Sequence, residues 1–133
     1  MTPTDMLREY HRAFGGLVPD APTPLSPEAA ALRLALLTEE LDEVAVELQS
    51  GDLVRLAHEL ADLVYVSYGT AVSVGIDLDA VLAEVHASNM TKIGPDGRFE
   101  MREDGKVLKG TNHRPPDVAG ILSNRAAHLA EPS

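Results

Sequence analysis

Apolar side chains recur three and four positions apart along most of this chain, and the recurrence breaks at glycine and proline. Thr2-Pro3 supplies a cap and a first-turn proline for a helix to about Phe14, which Gly15-Gly16 ends. Pro19, Pro22 and Pro24 make residues 18–25 an extended connector. Ser26-Pro27-Glu28 opens a second helix that runs to about Ser50. Gly51 stops it, and Asp52 caps a third helix reaching about Val74. Gly75 and Asp77 repeat that stop and start for a fourth helix through about Met90. Beyond it, Pro95-Asp96-Gly97 and Glu103-Asp104-Gly105 are turn signals. The segments around the second turn, 98–102 and 106–109, predict a small hairpin. Pro115-Pro116 precedes a last helix over about 117–130. Long helices joined by short turns predict an all-α bundle, a single domain over residues 1–133, with a basic loop or hairpin at 91–116.

The stripes within the helices refine this expectation. On the second helix Leu37, Leu41, Val44 and Leu48 form an apolar stripe, with Leu36, Glu40, Glu43 and Glu47 beside it. The acids therefore border the apolar side. From Leu60 to Ile76 the third helix is apolar or small on nearly every side, which predicts the most buried element of the bundle. Asp62 is the single charge in that run. Small helical domains often complete their core with a second copy, so dimerisation through these central helices is expected.

Composition excludes several chemistries. There is no cysteine, hence no disulfide, zinc–thiolate site or thiol nucleophile. The N-terminal stretch lacks the basic-then-apolar order of a signal peptide, and the run 60–76 is broken by polar residues, so a cytoplasmic chain without a membrane span is expected. A net charge of −10 opposes general binding to a nucleic-acid polymer. The charge is uneven. Residues 91–114 carry six cations (Lys92, Arg98, Arg102, Lys106, Lys109 and Arg114) against four acids. A basic segment following an acidic bundle suits attraction of a polyphosphate, although a solvated loop of mixed charge has the same composition.

The acids carry the most chemical information. Glu40 with Glu43 and Glu59 with Asp62 are each three apart, so each pair projects from one side of its helix. A hairpin turning at Gly51 brings the two pairs together. Four anions do not converge without a cation, and a buried unpaired carboxylate costs several kcal/mol or is neutralised. All-oxygen ligation favours Mg²⁺, with Mn²⁺ as a substitute. A di-iron bundle would need Glu-x-x-His pairs, and neither His58 nor His86 has a glutamate three positions earlier.

With these acids the chain resembles the all-α nucleoside triphosphate pyrophosphohydrolases, the MazG-like group, whose mark is E-x-x-E, a spacer, then E-x-x-D. Here the motif reads Glu39-Glu40-Leu41-Asp42-Glu43, then His58-Glu59-Leu60-Ala61-Asp62. The likeness extends through Tyr10-His11-Arg12-Ala13-Phe14-Gly15 and Asp62-Leu63-Val64-Tyr65-Val66. It continues in Val85-His86-Ala87-Ser88-Asn89-Met90-Thr91-Lys92, Asp104-Gly105-Lys106 and Lys109-Gly110. Within the group the chain is especially similar to the MazG-like dUTPase of Deinococcus. The resemblance implies hydrolysis of a nucleoside triphosphate between the α and β phosphates, in a homodimer. Glu40, Glu43, Glu59 and Asp62 would hold the metal. Glu39 would add a further ligand or orient the attacking water, and a carboxylate nearby, Glu40 included, would take its proton.

Further contacts are expected around this centre. Asn89 falls on the apolar side of the fourth helix, one turn after Val85, where an inward amide reads a base or sugar. Lys92 follows at the helix end, suited to a phosphate or to the helix dipole. Lys106, Lys109 and Arg114 are candidates to close over the polyphosphate, Tyr65 to reach the nucleotide, and His11 with Phe14 to flank a base. The expected substrate is dUTP, within nucleotide-pool cleansing. The alternatives are the same chemistry on dCTP, a non-standard nucleotide or phosphoribosyl-ATP, or a non-catalytic helical dimer that binds metal.

Overall fold

The computed structural model describes residues 1–130 of the backbone and side chains through Asn124. Five helices follow in order: α1 (Pro3–Phe14), α2 (Pro27–Ser50), α3 (Leu53–Ser73), α4 (Leu78–Met90) and α5 (Val118–Ala130). The fold class is therefore all-α, as the periodicity implied. Caps set the boundaries. Thr2 and Asp5 form a reciprocal capping box on α1. Ser26, Asp52 and Asp77 accept from the backbone N–H groups of Ala29, Arg55 and Ala80 at 3.1–3.2 Å.

α2 and α3 form an antiparallel hairpin over the two-residue link Gly51-Asp52. Gly51 takes the left-handed conformation (φ 76°) that ends α2. The register is fixed near both ends of the contact. Close to the start of α2, Arg33 donates to Thr70 Oγ1 and to the Val66 carbonyl, both at 3.1 Å. Two turns on, the Glu40–Glu43 segment lies against Glu59–Asp62. Each step along α2 is thus matched by a step back along α3. α1 packs on α3, and α4 turns from α3 by 114° at residues 74–77 and contacts α1, α3 and α5. Gly75 makes that corner possible, because a Cβ there would lie 2.2 Å from the Ala21 carbonyl of the connector.

The buried core is small: Leu7 of α1 with Tyr68 and Val72 of α3, flanked by Val18 and Leu78. Burial of α3 is confined to its C-terminal half, Tyr68 to Ser73, whereas Leu60 and Val64 are exposed. Among the described residues α3 is the most buried helix, as expected, but its C-terminal half carries that burial. The stripe on α2 needs correction. Val44 is buried, but Leu41 is 56 % and Leu48 64 % exposed, as is Leu34 at 66 %. The physical reason is that a hairpin of two helices has one inner seam, and α1 leaves an open pocket of about 380 Å³ over Leu60, Ala61 and Val64. Among the described residues no single helix is long and apolar enough to cross a membrane.

After α4 the chain makes two antiparallel bridges, Ile93 with Phe99 and Met101 with Val107. The second is the expected hairpin, shortened to one bridge and closed at Gly105. Asp117 caps α5 through the Gly120 N–H at 3.0 Å.

Candidate metal centre

The hairpin brings the two acidic pairs together. One carboxylate oxygen each from Glu40, Glu43, Glu59 and Asp62 lies within 4.8 Å of the others. Glu40, Glu59 and Asp62 are half-buried and Glu43 is exposed, so the cluster opens to solvent on one side rather than sitting in a dry interior. Two of its oxygens, Glu40 Oε2 and Glu59 Oε2, are buried without a hydrogen-bond partner. Such atoms lack both water and a donor, which is costly unless a cation serves them. Burial, then the charge and hydrogen bond of Glu43, then Asp62 and Glu39 raise the Glu40 carboxyl above its ordinary value. For Glu59 the close approach of the Glu43 carboxyl raises it first; burial and the charges of Glu43 and Asp62 add, and His58 opposes. Orphaned oxygens, mutual repulsion and an all-oxygen donor set fit a hard divalent cation.

His58 was not singled out by the motif, yet its Nε2 lies 3.2 Å from Asp62 Oδ2. The signal was its position four residues before Asp62 on the same face. His58, Glu59 and Asp62 also form a possible ligand group. Glu39 is exposed and contributes no oxygen to either group.

The other candidates divide between three places. Tyr65 and His11 line an open pocket of about 320 Å³ with Leu7, Tyr10, Phe14, Leu36 and others. Leu36 is one turn before Glu40 and Tyr65 one turn after Asp62, so this pocket begins about 5 Å along the hairpin from the acids. His11 is 2 % exposed and its Nδ1 meets the Leu17 carbonyl at 2.9 Å, so it also anchors the connector. Lys92, Lys106 and Lys109 gather round a second open cavity of about 440 Å³ with Glu100. Asn89 is exposed in the single chain rather than inward. α4 makes no contact with α2 among the described residues.

Arg114 is held elsewhere. Its Nη1 donates to Glu84 Oε1 at 2.6 Å, and its carbonyl accepts from Ser88 Oγ at 2.7 Å. The same Glu84 oxygen accepts from the Asp117 N–H at 3.0 Å. Arg114 thus latches the start of α5 to α4. Its charge, free in the sequence reading, is satisfied by a glutamate thirty residues away.

A family model described as phosphoribosyl-ATP pyrophosphohydrolase matches residues 7–89. This is more than half of the chain, from α1 to the end of α4, and it includes all four clustered acids. No curated protein matches the chain.

Proposed function

Because the chain belongs to the phosphoribosyl-ATP pyrophosphohydrolase family, we propose that it is a Mg²⁺-dependent nucleoside triphosphate pyrophosphohydrolase whose leading substrate is dUTP. Water attacks the α phosphorus, the bond from that phosphorus to the bridging oxygen breaks, and dUMP and pyrophosphate leave. The observation that carries this reading is the convergence of the Glu40, Glu43, Glu59 and Asp62 oxygens, two of them buried and unpaired in a carboxylate cluster. A divalent cation there, Mg²⁺ or Mn²⁺ in its place, would neutralise the triphosphate, activate water and stabilise charge on the leaving group.

The remaining roles fall to the protein's own groups. Glu40, whose carboxyl is raised by burial and by Glu43, accepts the proton of the attacking water. Glu39, exposed beside it, orients that water. Tyr65 and His11 border the base, in the pocket one turn from the acids. Lys92, Lys106 and Lys109 hold the phosphates, and Asn89 reads the sugar or base. Because α4 stays clear of α2, the last assignments go with a homodimer whose copies share the site. Exposed Leu34, Leu41 and Leu48, seven positions apart along α2, supply an apolar seam for that pairing.

Phosphoribosyl-ATP is the second reading, favoured by the description of the matching family. It carries an additional ribose phosphate on its base, for which the otherwise mainly apolar and aromatic pocket beside the acids offers Arg33. The test is pyrophosphate release across dUTP, dCTP, dTTP, an oxidised purine nucleotide and phosphoribosyl-ATP, with Mg²⁺, Mn²⁺ or EDTA. Preferential turnover of dUTP, abolished by EDTA, is expected. Turnover of phosphoribosyl-ATP alone selects the second reading, and no turnover selects a non-catalytic metal-binding dimer.

A further inference from the structure

The pocket beside the acids holds a cation that the reaction above does not use. Arg33 lies half-buried on its wall, with Tyr10, His11, Phe14 and Leu36. Its Nε and one Nη2 hydrogen are directed to Thr70 and Val66 of α3. A guanidinium has five N–H donors, so three remain. No carboxylate pairs with it among the described residues. A charge removed from water without a partner is costly, and guanidinium does not escape the cost by losing its proton.

The fold makes room for this group. Gly69 sits within the buried half of α3, where glycine costs roughly 1 kcal/mol relative to alanine. A Cβ at that position would lie 2.6 Å from Arg33 Nη2 and 3.2 Å from His11 Nε2. The missing side chain is the space in which both polar groups sit. His11 Nδ1 faces the Leu17 carbonyl, an acceptor, so Nδ1 carries a proton and donates there. Around them are aromatic walls: Tyr10 is centred 5.5 Å from Tyr65 and 5.0 Å from Phe14. Polar groups among aromatic rings, two turns along the hairpin from the acids, match the edge and faces of a planar base.

We propose that Arg33 is a specificity-determining residue, whose remaining N–H donors take the C4 carbonyl of a pyrimidine base and so favour a keto pyrimidine over an amino pyrimidine. This rests on the nucleotide reading of the acid cluster. The chemical ground is that arginine only donates, so an exocyclic amino group at the same place meets another donor.

The test compares kcat/KM for dUTP and dCTP in the full chain with Mg²⁺ and in Arg33→Gln, which offers both a donor and an acceptor. The dUTP-to-dCTP ratio is expected to fall about tenfold or more, since a site built around a hydrogen bond discriminates strongly. An equal loss on both substrates overturns the proposal and leaves Arg33 as a pin between α2 and α3. A loss confined to phosphoribosyl-ATP also overturns it, assigning the cation to that substrate's extra phosphate. If Arg33→Gln does not fold, 2-thio- and 4-thio-dUTP decide on the unaltered protein, because sulfur is a weak acceptor. A loss of about tenfold with 4-thio-dUTP alone supports the proposal; a loss with 2-thio-dUTP alone, at the carbonyl that cytosine shares, or equal turnover of both and of dUTP, overturns it. Absence of any triphosphate turnover by the unaltered chain overturns the nucleotide reading itself, and this inference with it.

Discussion

Glu43→Gln separates the electrostatic cost of the acid cluster from its use. Glutamine preserves shape and removes one of four converging charges. Two unit charges at 4.8 Å, the limit of the cluster, repel by roughly 0.9 kcal/mol in bulk water. Relief of the Glu40–Glu43 repulsion therefore stabilises the metal-free protein by about 1 kcal/mol, or roughly 3–5 °C in Tm for a domain of this size. Metal reverses the order. A ligand at a hundred times its Kd stabilises the folded state by about 2.7 kcal/mol, roughly 8–13 °C here. The variant, with a neutral amide in place of an anionic ligand, is expected to keep less than half of that gain.

The assay is thermal unfolding by circular dichroism, in EDTA and in MgCl₂, with ionic strength matched by KCl. The two melting curves should cross over: the variant melts above the native chain in EDTA and below it in Mg²⁺. Equal melting of the native chain in both buffers would refute metal binding by the cluster. An identical Mg²⁺ gain in the variant would remove Glu43 from the ligand set.

Three other perturbations test other parts of the molecule. Arg114, then the Asp117 N–H, hold the Glu84 carboxyl below its ordinary value of 4.5. The latch therefore contributes fully above pH 4.5 and is lost as pH falls through the lower folded value; hydrogen exchange in α5 should show this acid step, and Glu84→Gln should abolish it. Leu41→Glu with Leu48→Glu should convert a dimer to a monomer in light scattering after size exclusion, and a native chain that is already monomeric counts against the shared site. Gly75→Ala combines φ 72° with a 2.2 Å approach to the Ala21 carbonyl, whereas Gly51→Ala has φ 76° but open space. Calorimetry should find the first destabilised well beyond the roughly 1 kcal/mol expected of the second, and equal losses would show that the connector yields freely.

Much of the architecture was legible because its signals are local. Thr2, Ser26, Asp52 and Asp77 sit where the caps form, and Gly15, Gly51 and Gly75 where helices end. The pairing of the acids was legible too, since a two-residue link leaves α2 and α3 little choice but to fold back. What escaped is non-local. Leu41 and Leu48 read as core because periodicity reports an apolar face but not what covers it. Arg114 read as a free cation because Glu84 is far away in sequence. Arg33 drew no notice among leucines, as nothing in α2 announces that Gly69 leaves a hole for it.

On the proposed reading, the position of Arg33 separates base selection from the acid cluster. The acids and Arg33 lie on the same antiparallel pair, so their separation is set by helix register and resists small changes elsewhere. The pocket's other wall comes from α1, through Leu7, Tyr10, His11 and Phe14, which packs on α3 without touching the acidic stretch of α2. On that reading, substitutions on α1 or at Arg33 alter which base is accepted while the acids stay in register. Substitutions that shift α2 against α3 would disturb both at once. Selectivity and hydrolysis are thus mechanically separable here, and variants of α1 should change KM ratios between bases before they change kcat.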